Sequence, residues 1–464
     1  MAFPDVKFEF DDKDVDLIAY LKAGRQNFTF LRKPTLNQIK KLASEELDQC
    51  RSVLNELWPK VIIDALLKLR ETDGEIVEAN SIKLGERIPP RRWKLLKTFF
   101  HEESLSREEV TTVFKAFADF ETILYGASPK KYRDHLAHVF RVWISGHGLI
   151  KRHFAFKLTA PGSHDLPITA GEWECMWALA ALCHDLGYPV RYIESINQKA
   201  REAFRGLGLL PAGDLQFRFS PQARLFHDAM IRFMASTPVK APCLRTEQTP
   251  RLHHEKSTEE RYVSHLQNKY YVKLLQSFDD LDHGIISALL ISKCLVHFLE
   301  SDLCHDPWKP LTSEAARQCI MRREILRAIA FHSCPEVYHV QFDTLAFVLY
   351  ILDEIQEWGR PTLDELQTRE QKRVTSTVVE FKPKHISVAL KYKRRWTRKD
   401  LPDLENKLNQ LHKRVRLGAD TYVSEDQHLE FRMEDSAGKK AYFLLNKQRI
   451  SRHVPPKKSL PSNA

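Results

Sequence analysis

Apolar residues recur at helical spacing over most of this chain. From 35 to about 70 they fall at Ile39, Leu42, Leu47, Val53, Leu54 and Leu57, then at Val61, Ile62, Ala65, Leu66 and Leu69. That period predicts amphipathic helix, with Thr35 placed to cap it and Pro59 to divide it or open a second helix. Ser106-Arg-Glu-Glu109 has the form of a capping box and predicts a helix to about Leu124. Further helices are expected over 132–150 and 172–186, over a more polar stretch at 190–235, and over about 261–278, 283–300, 313–332 and 343–358. The 172–186 segment is apolar around most of its circumference, which predicts a central helix. Between them, 86–92 with Pro89-Pro90 reads as a connector. The stretch 237–260, broken by Pro238, Pro242 and Pro250, reads as a loop or insertion. Residues 1–30 take no clear assignment, and strands are hard to place anywhere before 370.

After Pro361 the period changes. Alternation over 374–381 and 385–392 predicts two strands, with Lys382-Pro383-Lys384 as the turn. A helix follows over 401–415, then a second hairpin over 428–433 and 440–445 with Ser436-Ala437-Gly438 between them. The expected fold class is therefore mainly α, a helical bundle with a small C-terminal α+β (ββαββ) module. The expected organisation is an N-terminal helical region (1–125), a helical domain (126–362) with an insertion at about 190–280, the module (366–448), and a disordered tail (449–464) marked by Pro455-Pro456 and Lys457-Lys458.

Composition narrows the class of protein. The chain has 464 residues, 43% hydrophobic and 28% charged, as in an ordinary globular protein of a few units. It contains no apolar tract of about 18 residues, so no membrane partner is expected. No basic region followed by an apolar core opens the chain, so a cytoplasmic location is expected. The 8 cysteines are scattered and form no CxxC pair, which argues against a cysteine zinc site and for reduced thiols. Charge is uneven. From Glu365 onward 23 Lys and Arg stand against 12 Asp and Glu, whereas the whole chain carries +10, so residues 1–364 are close to neutral. The basic module suits a polyanion or nucleic acid, and Tyr392 and Trp396 among its lysines and arginines are candidate stacking groups.

The candidate chemistry lies in the helical domain. Ala178-Leu-Ala-Ala-Leu-Cys-His184-Asp185-Leu-Gly-Tyr-Pro189 ends the apolar helix on an adjacent His-Asp pair. A buried Asp is costly unless paired or bound to metal, and imidazole with carboxylate suits divalent transition metals. Upstream, Tyr132-Arg-Asp-His135-Leu-Ala-His138 puts two histidines on one helical face. Downstream, His283 opens an apolar helix, His332 follows Ala328-Ile-Ala-Phe, and Asp353 ends the apolar run 345–352.

This order of residues resembles the HD-domain superfamily of metal-dependent phosphohydrolases, over roughly 130–361. The family pattern is a His, an adjacent His-Asp, and a distant Asp on a helical bundle. Members with two metals add two histidines before the last Asp. Carried over, the resemblance implies an HD-type bundle with His138, His184, Asp185, His283, His332 and Asp353 as ligands, His135 being the rival of His138. It implies one or two divalent transition metals (Mn, Fe, Ni, Co or Zn, with Mg as a further option). Asp185 takes the central catalytic place as the shared carboxylate. The long interval between Asp185 and His283 departs from compact members and implies an insertion.

The resemblance further implies a nucleotide-like phosphorylated substrate, cleaved at a phosphoester or phosphoanhydride. Arg133, Arg191 and Arg360 are the candidates to meet its charge. Leu-Gly-Tyr-Pro after His-Asp is not the acidic pair of alarmone hydrolases. The later Gly-His of deoxynucleotide triphosphohydrolases is absent, and Gly-Tyr-Pro stands too early for the late motif of cyclic-di-GMP phosphodiesterases. Two alternatives are a catalytically silent HD scaffold or ligand-binding protein and a di-iron oxygenase of the same fold. A third is a protein whose chief business is nucleic-acid binding through the module.

Overall fold

The computed structural model describes residues 6–11, 14–43, 46–83, 107–127, 134–151, 167–205, 221–240, 261–296, 311–339, 344–357, 360, 374–382, 385–415, 428–446, 449–457 and 460. The chain is mainly helical. Its helices are α1 (Val15–Lys22), α2 (Lys33–Ile39), α3 (Arg51–Lys83), α4 (Arg107–Ala127), α5 (Leu136–Leu149), α6 (Ala170–Cys183) and α7 (Tyr188–Arg191). They continue with α8 (Ile193–Arg205), α9 (Pro221–Met234), α10 (Asn268–Asp279), α11 (His283–Val296), α12 (Ser313–Phe331), α13 (Leu345–Ile355) and α14 (Leu401–Arg414).

Helix α6 is central, as its all-round apolar surface predicts. Every residue from Glu172 to Cys183 is buried, and α3, α5 and α12 pack around it. A capping box starts it: Glu172 N donates to Thr169 Oγ1 at 3.3 Å, and Thr169 N donates to Glu172 Oε2 at 2.7 Å. Trp177 Nε1 donates to the Trp143 carbonyl of α5 at 2.8 Å. A Cβ on Gly146 would fall 2.0 Å from the Trp177 ring, so glycine there lets α5 and α6 approach. On the far side of α5, Arg141 donates to both oxygens of buried Asp14, at 2.9 and 2.7 Å. That ion pair ties the N-terminal segment to the helix carrying His138.

Two local expectations about the first helices need correction. Thr35 is a buried residue inside α2, not its cap, because Pro34 occupies the first turn, where a missing N–H costs nothing. Pro59 does not divide α3. Trp58, Val61, Ile62, Ala65 and Leu66 are all buried there, and that face outweighs the roughly 3 kcal/mol a helical proline costs. Ser106 and the connector 86–92 lie outside the described residues.

Strands do occur before 370. They are β1 (Val6–Asp11), β2 (Ser236–Lys240), β3 (Arg261–Leu266) and β4 (Leu311–Thr312), followed by β5 (Val374–Lys382), β6 (His385–Tyr392), β7 (His428–Glu434), β8 (Lys440–Asn446) and β9 (Arg449–His453). The stretch expected as helix from 261 therefore starts as β3, which pairs antiparallel with β2 and β4. The C-terminal module is larger than ββαββ. Its sheet has six strands in the order β1-β5-β6-β7-β8-β9. Only β6 and β7 run parallel, with α14 as their crossover. The expectation of a disordered tail from 449 fails for β9, which pairs with β8 from Tyr442↔His453 to Asn446↔Arg449. The short alternation Arg449-Ile-Ser-Arg-His453 is enough for an edge strand once β8 offers a free edge. Nor is the N-terminal region purely helical, since β1 pairs with β5 across the whole chain.

The module packs on the bundle. Leu404, Leu408 and Leu411 of α14 are buried with Val388, Phe431 and Phe443 of the sheet. At the end of α14, buried Arg414 donates through Nη2 to the Phe331 and His332 carbonyls, and His339 N donates to Arg414 O at 2.6 Å. Trp396 is 2% exposed, so it belongs to the core and not to a nucleic-acid stacking platform. No helix among the described residues is long and apolar enough to cross a membrane. The described cysteines (Cys50, Cys175, Cys183, Cys319 and Cys334) are buried free thiols.

Candidate metal centre

Five chain segments meet at the C-terminal end of α6. His184 and Asp185 form the turn that follows it. Gly187 N donates to Ser287 Oγ at 2.7 Å, and a Cβ on Gly187 would lie 2.1 Å from the His283 carbonyl. Glycine at 187 therefore lets the His-Asp turn press against the first turn of α11. The start of α11 is fixed in turn by Asp282, which accepts from Gly284 N at 3.1 Å and from the Ser333 hydroxyl. Leu281 enters that turn at φ 52, a left-handed conformation that costs a leucine about 1 kcal/mol or more. Ser333 follows His332 at the end of α12, so one carboxylate ties together the two segments that carry His283 and His332. His138 comes from α5 and Asp353 from the last turn of α13, whose start is capped by Thr344.

The structure brings all six predicted ligand residues together. His138 Nε2 is 2.9 Å from Asp353 Oδ1 and 3.3 Å from His184 Nε2. His184 Nε2 is 3.6 Å from Asp353 Oδ1 and 3.5 Å from Asp185 Oδ2. The other oxygen of Asp185 faces a second pair: His283 Nε2 lies 3.6 Å and His332 Nε2 3.7 Å from Oδ1, and the two nitrogens are 3.1 Å apart. Asp185 thus stands between two imidazole pairs with one oxygen toward each. Within the cluster, His138, His184 and Asp353, and likewise His184, Asp185 and His332, each present donor atoms within 4.8 Å of one another.

Hydrogen bonding shows why this cluster suits a cation. A carbonyl oxygen can only accept, so the contacts of His184 Nδ1 with Ala181 O (2.8 Å) and of His332 Nδ1 with Ile329 O (2.6 Å) place the ring proton on Nδ1. His138 Nδ1 likewise donates to Gln356 Oε1. In the neutral rings the three Nε2 atoms are then bare lone pairs. On the side of His138 and His184 they point at each other and at two carboxylate oxygens, with no proton to share. Four electron-rich atoms in a buried pocket fit a bound metal, and the outer hydrogen bonds are the kind that orient metal-ligating histidines.

The charge states agree at His138, Asp185 and Asp353, and His184 is the exception. Burial pushes the His135 and His138 imidazoles below their ordinary range, and Arg360 adds to that at both rings. Burial opposes the Asp185 carboxylate, but His184, His332, His135 and His138 outweigh it and hold the group well below the ordinary range. At Asp353 burial is likewise outweighed, by His138 and His184. His184 is raised, because Asp185 and Asp353 outweigh its burial. Ionised carboxylates and neutral imidazoles are the forms that ligate metal, so an ion bound here would displace the proton that the two carboxylates favour on His184.

The remaining candidates divide. His135 Nε2 is 4.0 Å from Asp185 Oδ2, farther than His138 at 3.6 Å, and its backbone N donates to Glu121 Oε1. Arg360 sits close enough to depress His135 and His138, and its Nε is buried without a hydrogen-bond partner among the described residues. Arg191 ends α7, with its side chain outside the described residues, and Arg133 lies outside them altogether. Three contributors escaped sequence reasoning. Gln356 lies three residues after Asp353, a spacing that would have found it. Tyr188, in Gly-Tyr-Pro, packs its ring 4.1 Å from His135 and 4.2 Å from His283. Glu121, held by Arg51 and raised to about 8 chiefly by burial, carries no local signal at all.

No protein-family model matches this chain, and no curated protein and no solved structure matches it either.

Proposed function

We propose that the chain is a metal-dependent phosphohydrolase of the HD superfamily, acting on a phosphoester or phosphoanhydride of a nucleotide or cyclic nucleotide. The observation that carries this reading is the division of Asp185, one carboxylate oxygen toward His138 and His184 and the other toward His283 and His332. A divalent transition metal supplies Lewis acidity and a water of lowered pKa when bound to such a set. His138, His184, Asp353 and Asp185 would hold one ion; His283, His332 and Asp185 would hold a second.

The chain's own groups then have separate tasks. Gln356, Ala181 O and Ile329 O keep three imidazoles in the ligating tautomer. Arg360 brings a positive charge, with an Nε unmet among the described residues, to the edge of the cluster, which supports an anionic substrate. Tyr188 closes the space between His135 and His283. A phosphate-release screen over nucleotides and cyclic nucleotides, with Mn, Fe, Co, Ni and Mg supplied in turn, tests the reading. Release that depends on metal and vanishes in Asp185→Asn is expected. Bound iron with an optical band and oxygen consumption, but no phosphate release, would transfer the site to oxygen chemistry. Absence of any bound metal would leave a scaffold.

A further inference from the structure

Between α10, α12 and the segment after α12 lies a cavity of about 120 Å³, inside an open recess with about 610 Å³ of empty space. The enclosed part is smaller than the roughly 300–1,000 Å³ of sites for drug-sized molecules, so it suits only a small ligand. Its lining includes Gln267, Tyr270, Glu324, Arg327, Phe331 and Tyr338, and no metal-ligand candidate.

Arg327 decides the chemistry of this recess. It is 5% exposed. Its guanidinium donates to the Met234 carbonyl, to Ser236 O at 3.0 Å and to Gln267 Oε1 at 3.3 Å, all uncharged. Among the described residues its carboxylate partner is Glu324 at 3.3 Å, which lies nearer to Arg323 at 3.0 Å. Neutral carbonyls do not cancel a charge, so the cation is only partly compensated. Burial, with Arg323 adding to it, pushes Arg327 down to about 10. An anion in the recess would remove that penalty.

The walls add shape. The Tyr270 and Phe331 rings are parallel within 10° at 5.8 Å. Tyr338, 38% exposed, carries Lys273 Nζ 4.5 Å above its ring, a second cation near the mouth. Flat aromatic walls beside an under-compensated guanidinium fit a ligand with a planar ring and a carboxylate or phosphate group. Phe331 directly precedes His332, and Arg414 binds the carbonyls of both, so an occupant here would touch the support of one imidazole.

We propose that this recess is a second small-molecule site, separate from the metal centre, for a small anion carrying a planar ring held by Arg327 and by the rings of Tyr270, Phe331 and Tyr338.

Calorimetric titration of the full chain with phenylphosphonate, which has no ester to hydrolyse, and separately with benzoate tests it. Saturable one-to-one binding of either probe is expected in the wild type and in Asp353→Asn. The two probes distinguish a phosphate from a carboxylate ligand. Arg327→Met should weaken binding about tenfold or more. Tyr270→Ala, which leaves the buried charges in place, should weaken it too while melting as a folded protein. Absence of saturation in the wild type would overturn the proposal. So would binding that is lost in Asp353→Asn but kept in a folded Tyr270→Ala.

Discussion

The two sides of Asp185 are built from the same residue types but differ in charge. Toward Oδ2 stand two imidazoles and a second carboxylate, Asp353. Toward Oδ1, among the described residues, stand the two imidazoles of His283 and His332 without a second carboxylate. The support differs as well. His138 and His184 belong to α5 and to the turn after α6, the buried middle of the bundle, whereas His332 is backed by Arg414 from the C-terminal module. A divalent cation gains more from two carboxylates than from one, so the two sides should differ in affinity, the side of Asp353 binding more tightly. Two ions held there would share Asp185 and so would not bind independently.

The strongest way to break this comparison is to remove what both sides share. Asp185→Asn keeps shape but deletes the charge. Metal content should fall on both sides, and hydrolysis by roughly a thousandfold or more, as loss of a catalytic metal removes several kcal/mol of transition-state stabilisation. Metal analysis and turnover check it. Thermal stability of the metal-free protein should hold or rise, because the anion no longer needs a counter-charge.

Next come the side-specific changes. Asp353→Asn should lower metal content chiefly on the tighter side, while His283→Ala should remove roughly half of the bound metal and leave the tighter side filled. Unchanged content in His283→Ala would take that histidine out of the centre. Gln356→Leu is milder. It frees His138 Nδ1 from its acceptor and should weaken metal affinity about 10–100-fold without emptying the site at saturating metal. Competition with a chelator measures that difference.

The smallest effect is a pH dependence outside the cluster. Burial pushes His339 well below its ordinary 6.5, and His147 below it too. The unfolded chain therefore takes up these protons at higher pH than the folded chain. Their contribution to stability is full above 6.5 and drains as pH falls, by at most about 1.4 kcal/mol per pH unit for each histidine. His339→Phe keeps a ring stacked on Tyr350 and should flatten part of the acid side of a melting profile.

Much of the centre was legible because its residues break a local rule. Asp185 and Asp353 each end an apolar helix, where a carboxylate without a partner is costly, while His283 opens an apolar helix and His332 follows the short apolar run Ala328-Ile-Ala-Phe331. What could not be read was what depends on distant pairing. The β1 strand joins β5 from the other end of the chain, and Arg449–His453 is a strand only because β8 lies beside it. Arg414 looked like one more charge in a basic module, yet it is buried behind His332. The module therefore supports the centre without supplying a ligand. Trp396 looked like a stacking group for nucleic acid and is instead a core residue, because it lies in the irregular segment after β6, where no periodicity tells which side chains are covered.

The central claim is that Asp185 joins two metal sites of unequal strength. The most direct measurement is metal stoichiometry of the full chain after loading with manganese or iron and dialysis against graded chelator. The account predicts two ions per chain, released in two steps, with the first, low-chelator step missing in His283→Ala and both missing in Asp185→Asn. A single ion unaffected by Asp185→Asn, or no stoichiometric metal at any loading, would contradict it.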